Sequence, residues 1–565
     1  MSVDIILYSR QAIDLPEYAE KNFFGENCKI IYAKAEKYPG KVLNKALKKC
    51  QNAYVLITTA DCALEKDFEK TIDKFEAEHP NFARAEIRTY PKEREYHYSP
   101  VTFQTEYVSA FPTVFNREKL EKIGGFDENL TEFLGEDTSL RFKAAGEILY
   151  YLPFVECSVT VDCNENQKYI NEVGSKLILS KKYKYKPGNR EFWQEFKSPK
   201  SFPGVRKLLL KEYAKDSFAA LKYTFKNNFK KIEYNPNFAP KRGDYPREFV
   251  KEEPLVSVVV RTHKRKEVLR RTLKSLENQI YKNFEVVIVE DGENTAENMV
   301  KSDFPSLNIN YFATGENVGR GRAGNIGIER AKGKYVCFLD DDDYYYADCI
   351  STFVAKLESF PEAGFAVSGG MAYETEILNT DPYEFTVNKI YPISFSHITL
   401  MDMCIKCRIP MCCGMFRREL YDKVGGMRED IGGDEDWAMW LKFLSVSKRT
   451  DIAKPDIPKA LSMFGYPRDI AVAKKREENY AVFDKIMLSD ESIVFTVTKD
   501  EITLWQNTVK ADVEHLKSIG AEKEYISALP CLGCRNIEPT DDEISLTPKQ
   551  INMYYHYLYN KYVNE

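Results

Sequence analysis

Short apolar runs alternate along much of the chain with stretches whose apolar residues recur at helical spacing, a pattern that predicts strands separated by amphipathic helices. Strands are expected at Val3–Tyr8 (VDIILY), at Cys28–Ala33 (CKIIYA) and in AYVLIT, with a helix in GKVLNKALKKC before the last. A strand ending in VF, the helix REKLEKI and the phrase GGFDENLTEFLGEDTSLRFKAAG follow. The plan then restarts at Leu255 with LVSVVVRTHKR, the helix VLRRTLKSLENQ and the strand FEVVIVEDG. It continues through NVGRGRAGNIGIERAKGKYVCFLDDDD to MFRRELYDKVGGM and GGDEDWAMWLKFL. Strand–helix alternation predicts α/β domains with mainly parallel, Rossmann-like sheets. The shared order predicts two tandem copies, since a repeat this long is a domain and not a solenoid unit.

The expected boundaries are a first domain at 1–165, a linker at 166–250, a second domain at 251–490 and a small C-terminal extension at 491–565. Residues 181–250 hold 18 Lys plus Arg against 7 Asp plus Glu, interleaved with aromatics, and part of that stretch has helical spacing. A basic amphipathic helix of this kind can lie on an anionic membrane surface. It can equally be a helical connector with its charged face in water. The last residues, including INMYYHYLYNKY, read as a terminal helix or as one that docks a second copy in a homo-oligomer.

Composition narrows the class. A chain of 565 residues with 43% hydrophobic and 30% charged residues is an ordinary globular protein of more than one domain. The net charge of -5 argues against a general nucleic-acid binder. Six histidines make a His-rich metal site unpromising. The N-terminus shows no signal peptide and no run is long enough to span a bilayer, so a cytoplasmic location is expected, with any contact to the inner membrane face made peripherally through 181–250. Thirteen scattered cysteines fit reduced thiols better than a disulfide framework. Cys404 and Cys407 form one C-x-x-C, and Cys531 and Cys534 another; a structural zinc site and plain buried thiols both account for them.

Four consecutive carboxylates, Asp340 to Asp343, end the expected strand KYVCFL. Charges this close repel unless something positive lies among them, and Mg2+ or Mn2+ typically joins one or two carboxylates to substrate phosphates. An acidic turn left in water is the plain alternative. Three other pieces weigh against it. Asp291 ends another strand, where its carboxylate can accept from a base or ribose. NVGRGRAGNIG leads through Asn325 into the acidic strand. GGDEDW supplies a second acidic pair, Glu435 and Asp436. Two such clusters suit a division of labour in which one holds a metal and diphosphate while the other takes a proton from an attacking hydroxyl.

Taken as a set, VSVVVRTHKR, VVIVEDG, NVGRGRAGNIG with AKGKYVCFLDDDD, and RRELYDKVGGM followed by GGDEDW resemble glycosyltransferase family 2 in order and spacing. The resemblance implies a GT-A fold, a nucleotide-sugar donor (UDP-linked), a glycan or lipid-linked glycan acceptor and a divalent cation, Mn2+ or Mg2+. It implies that Thr262 and Asp291 border the base and ribose, that Asn325 shapes the nucleotide pocket, and that Asp340 and Asp341 lie on the donor side. Asp340 and Asp342 match the D-x-D motif, with Asp342 the direct metal ligand, and Asp436, beside Glu435, matches the base of an inverting transfer. Two positions depart from the pattern: Arg261 stands where the family often has Pro, and Gly324 where an Arg usually precedes the Asn. Arg320 or Arg322 is then the candidate to meet the diphosphate.

The first domain is a weaker copy. Its GGFDENLTEFLGEDTSLRFKAAG resembles the acceptor-side motif of the same superfamily, particularly in bacterial capsule and polysaccharide polymerases such as chondroitin polymerase, which makes Asp137 the expected base and Glu136 its neighbour. Its donor side reads Thr59-Ala60-Asp61 where D-x-D is expected, leaving Asp61 as the one candidate metal ligand. Three readings follow: an inverting transferase in bacterial surface polysaccharide synthesis with one working domain, a polymerase with both domains active, or a non-catalytic carbohydrate-binding scaffold.

Overall fold

The computed structural model describes residues 3–9, 28–59, 62–64, 68–90, 97–108, 111–158, 175, 182, 253–380, 383–393, 400–405, 407, 409–431, 433–447, 452–453, 460–466, 492–518 and 543–564. The chain divides into two compact units, Met1–Arg247 and Glu248–Glu565. Asp61, the second C-x-x-C and nearly all of the basic stretch at 181–250 lie outside the described residues.

In the first unit the main sheet runs Ile30–Lys34, Val3–Ser9, Tyr54–Thr59, Thr113–Asn116, Arg84–Tyr90, Leu149–Ser158 and Ala63–Leu64, with Gln104–Thr105 paired beside it. The first three strands are parallel, and Thr113–Asn116 runs against both its neighbours. In the second unit the order is Ile309–Ala313, Phe284–Glu290, Val256–Thr262, Tyr335–Phe338, Gly414–Arg417, Phe365–Val367 and Ile452–Ala453. Here the first four are parallel, and Gly414–Arg417 runs against both neighbours. The two sheets therefore share one succession of directions around their central strands. A further sheet of the second unit joins Tyr344–Tyr345, Ala460–Tyr466, Gly370–Thr380 and Tyr383–Ile393.

The central strand Val256–Thr262 is buried at every position. That explains its four valines, because a parallel strand covered on both faces needs apolar residues on each. Ser257, Arg261 and Thr262 are the polar residues within it, and Arg261 is the charged one. The helix Lys266–Glu277 covers one face with Val268, Leu269, Leu273 and Leu276, a helical stripe. The helix Arg320–Arg330 approaches more closely, and its glycines are the reason. A Cβ on Gly327 would collide with Val259, one on Gly324 with Met427, and one on Gly321 with the carbonyl of Arg428. The Gly-rich passage is thus a packing device that seats this helix on the sheet and on the loop after Gly426.

Strand order reverses beside Val256–Thr262: Phe284–Glu290 lies on one side and Tyr335–Phe338 on the other. In open α/β sheets the crevice at such a switch point, beyond the carboxyl ends of the strands, is where ligands bind. Thr262, Asp291 and Asp340 all follow directly from those ends.

The tail is no loose appendage. Strands Phe495–Thr498 and Glu543–Leu546 pair, and the helices Lys499–Ser518 and Pro548–Asn564 bury Trp505, Ile551, Tyr554 and Leu558 in one core with Leu400, Met403 and Trp437. Asn552 Nδ2 donates to the Cys404 carbonyl at 3.1 Å. Of the described cysteines, eight are free thiols. Cys62 is disulfide-bonded, an exception to the expected preponderance of reduced thiols. Burial pushes the Cys337 thiol up to about 12, which suits a core side chain and not a metal ligand. No group of three or more metal-ligating side chains occurs among the described residues.

Candidate active site

The acidic strand end is organised by three arginines. Arg261, 7% exposed, points out of the carboxyl end of the central strand. Its Nε and Nη2 donate to both oxygens of Asp340, each at 2.8 Å. Its Nη1 donates to Glu435 Oε1 at 2.7 Å and to the Arg320 carbonyl at 3.2 Å. The guanidinium also lies over the Phe338 ring. Arg320 completes the ring of charges, with Nη2 3.2 Å from Asp340 and Nε 3.5 Å from Glu435. Burial pushes the Asp340 carboxyl up, but the Arg261 and Arg320 charges and the bidentate bonds outweigh it and hold Asp340 at about 2. Glu435 is lowered in the same way, against its burial, by Arg261 and then Arg320.

Asp341 is buried. Its Oδ2 accepts from Thr262 Oγ1 at 2.7 Å and from Arg265 Nε at 3.2 Å. Burial lifts it to about 7 despite Arg265. Asp342 is the most exposed carboxylate of the run, with 27% of its side chain exposed, and Arg265 Nη1 donates to it at 3.0 Å. Asp343 is turned inward.

Asp436 stands apart from these pairs. It lies in the first turn of the helix Glu435–Val446, which follows Asp434 in a left-handed conformation (φ 57°). Acidic residues belong at that end, since exposed N–H groups make it positive. Asp436 is partly exposed, and its Oδ1 accepts from the Trp437 N–H at 2.8 Å. Desolvation, then the Glu435 charge, raises it to about 7, with Arg320 pulling the other way. A carboxyl poised there can take a proton near neutral pH.

The remaining expected residues have more structural contacts than a bare pocket lining. Asp291 accepts from the backbone N–H of Val318 (2.6 Å) and Gly319 (3.1 Å), tying the strand end to the turn before the helix Arg320–Arg330. Asn325 clamps Met427 through both its amide atoms, at 3.0 and 2.9 Å, and reaches Glu429 at 2.8 Å. Arg322 pairs with Glu329 and Glu429. Of the two candidate arginines, Arg320 is the one at the acids, because residues two apart on a helix face different ways. Asp340, expected to share a metal with Asp342, accepts from arginines at both its oxygens.

In the first unit the helix Leu134–Ala144 also follows a left-handed residue, Phe133, and carries Glu136 and Asp137 in its first turn. Asp137 is fully buried. Arg141 donates to its Oδ2 twice, at 2.9 and 2.6 Å, and Lys182 Nζ bonds its Oδ1 and, at 2.8 Å, Asp127. Arg261 and Arg265 are the site residues that motif spacing missed. The available signal was an arginine in a valine-rich strand, where a buried cation needs a carboxylate to pair with.

An α/β sheet whose switch-point crevice carries an acidic strand end, with a second carboxylate at a helix N-terminus beside it, is a framework suited to binding a ligand at the strand ends. Residues 257–425 match the model of Glycosyl transferase family 2. An uncharacterized glycosyltransferase of Rickettsia felis is 28% identical over 197 residues, 34% of this chain and 32% of that protein. Glycosyltransferase GlyA of Streptococcus pneumoniae serotype 4 is 32% identical over 138 residues, 23% of this chain and 20% of that one. The match thus spans about a third of the Rickettsia felis relative. Among solved structures, S. aureus TarS 1-349 in complex with UDP-GlcNAc aligns with a TM-score of 0.34 at 16% identity, over 48% of this chain and 76% of that one.

Proposed function

We propose that the second unit transfers a sugar from a nucleotide-sugar donor, UDP-linked by its sequence resemblance, to a hydroxyl of a glycan acceptor with inversion, in the synthesis of a bacterial surface polysaccharide. The observation that carries this reading is the contrast between two adjacent carboxylates. Glu435 is neutralised by Arg261 and Arg320, whereas Asp436 stands beside them with its carboxyl raised to about 7. Asp436 is then the base that removes the acceptor proton, and Glu435 with Asp340 fixes the arginines around it. Thr262 and Asp291 line the strand ends where base and ribose would lie, and Asn325 holds the loop that closes that side.

The donor set fits a divalent cation of the Mg2+ or Mn2+ kind. Asp342 offers hard oxygens at the protein surface, and such ions bind through one or two carboxylates while keeping water and substrate phosphates. The guanidinium of Arg265 already stands in for positive charge there. Bound, the cation would neutralise charge developing on the departing diphosphate. Asp342→Ala is expected to weaken nucleotide-sugar binding at least tenfold with Mn2+ present and to leave it nearly unchanged with chelator. Calorimetry over a panel of UDP- and GDP-sugars reads both; equal affinity of wild type and variant with Mn2+ would remove Asp342 from the metal.

We further propose that the first unit is a second copy of the same domain in which Asp137 ties the structure together and abstracts no proton. Its burial between Arg141 and Lys182 supports this. Asp137→Asn should lower stability by about 3–5 kcal/mol, as expected when one member of a buried ion pair is removed, yet leave the product pattern and the rate per folded molecule within about twofold. A transfer loss beyond tenfold in still-folded protein would make Asp137 a working base and both units active.

A further inference from the structure

The three arginines at the acidic strand end are not held alike. Arg261 is sealed, with bonds to Asp340, Glu435 and a carbonyl. Arg320 springs from a helix start and spans Asp340 and Glu435. Arg265 sits in neither pair. Its Nη1 donates to Asp342 at 3.0 Å, its Nε to Asp341 at 3.2 Å, and its Nη2 also bonds Asp341. It is 36% exposed, while Asp341 beneath it is buried.

The backbone aims it there. Lys264 occupies the left-handed region (φ 55°), where a side chain other than glycine is strained. The turn it makes places Arg265 at the N-cap of the helix Lys266–Glu277, beside the acidic run. A fixed Cα, a long flexible side chain and an open outer face are what a charge that must move requires.

We propose that Arg265 is an exchangeable counter-ion: it neutralises Asp341 and Asp342 before substrate arrives, yields Asp342 to the divalent cation, and then meets the diphosphate of the donor. Electrostatics gives the direction. A guanidinium and a divalent cation on the same carboxylates repel each other, and a diphosphate carried in with the cation offers the displaced guanidinium a bidentate partner. The diphosphate half rests on the glycosyltransferase reading; the exchange at Asp342 does not.

The test separates the two. Mn2+ alone is titrated calorimetrically into wild type, Arg265→Gln, Arg265→Lys, and Arg265→Gln combined with Asp342→Asn; UDP, and separately GDP, is then titrated with Mn2+ saturating. Arg265→Gln is expected to bind Mn2+ at least fivefold more tightly than wild type, because its competitor is gone. Arg265→Lys keeps the charge and should stay near wild type, and adding Asp342→Asn should abolish the gain. The nucleotide that binds wild type should bind Arg265→Gln at least fivefold more weakly. Unchanged or weaker Mn2+ binding by Arg265→Gln overturns the exchange. Tighter Mn2+ binding with unchanged nucleotide affinity overturns the hand-over to diphosphate. If Mn2+ tightens but neither nucleotide binds wild type, the counter-ion role stands and the glycosyltransferase reading falls.

Discussion

Asp436→Asn is expected to reduce transfer by about 10²–10⁴-fold, the usual contribution of a positioned base, while nucleotide affinity stays within about twofold. It should also make the protein more stable above neutral pH. Burial and the Glu435 charge raise the Asp436 carboxyl to about 7, with Asp434 adding to the effect and Arg320 and the Trp437 N–H opposing it. The part-buried thiol Cys407 faces the same cluster and is itself pushed up, by desolvation first and then by Asp436. A carboxyl that is harder to ionise folded than unfolded penalises folding once pH passes its unfolded value, and the penalty is complete above its folded value. Each unit corresponds to about 1.4 kcal/mol, so the Asn variant should gain on the order of 1 kcal/mol or more at pH 8 and nothing near pH 3. Wild-type kcat/KM should fall on acidification with a midpoint near 7, and the residual rate of the variant should lose that limb. More than a tenth of wild-type transfer in Asp436→Asn would remove it as the base.

The second unit was legible because its strands carry their burial in composition: Val256–Thr262 and Phe284–Glu290 are rich in valine and isoleucine and buried throughout, and the acidic residues after Phe284–Glu290 and Tyr335–Phe338 are conspicuous against that background. The division of labour among the carboxylates was not legible. Asp340, Asp341, Asp342 and Asp343 are identical letters, and their roles come from which arginine reaches each one, a question of side-chain direction at the mouth of the sheet. Arg261 appeared in the sequence only as a departure from a motif. Its meaning needed Glu435, brought beside it by the antiparallel return of Gly414–Arg417 and by the helix Glu435–Val446 further along the chain. Asp137 shows the same limit. Its motif equals that of Asp436, yet Lys182, distant in sequence, closes over it. The tail could be read as helical, but its core shared with Met403 and Trp437 depends on contacts that no local pattern encodes.

Arg261→Met should destabilise the protein by about 3–5 kcal/mol at pH 7, because it leaves the buried Glu435 and the part-buried Asp340 ionised with only the exposed Arg320 to offset their charges. The side chain it replaces is sealed from water and bonds both Asp340 and Glu435. Lysine should recover only part of the loss, since a point charge cannot reproduce two parallel bonds to Asp340 and a third to Glu435. The pH dependence identifies the cause. Arg261 holds Asp340 at about 2, so the stability it contributes is fully present above the unfolded carboxyl value and is lost as pH falls toward 2. The gap between wild type and Arg261→Met, measured by urea unfolding, should therefore be widest from about pH 5 upward and close on acidification. Adding Asp340→Asn and Glu435→Gln to Arg261→Met removes the stranded charges and should restore much of the stability at pH 7 without restoring transfer. A gap below about 1 kcal/mol at pH 7, or one that widens in acid, would mean that the arginine merely fills space at the strand end and does not hold the two acidic clusters together.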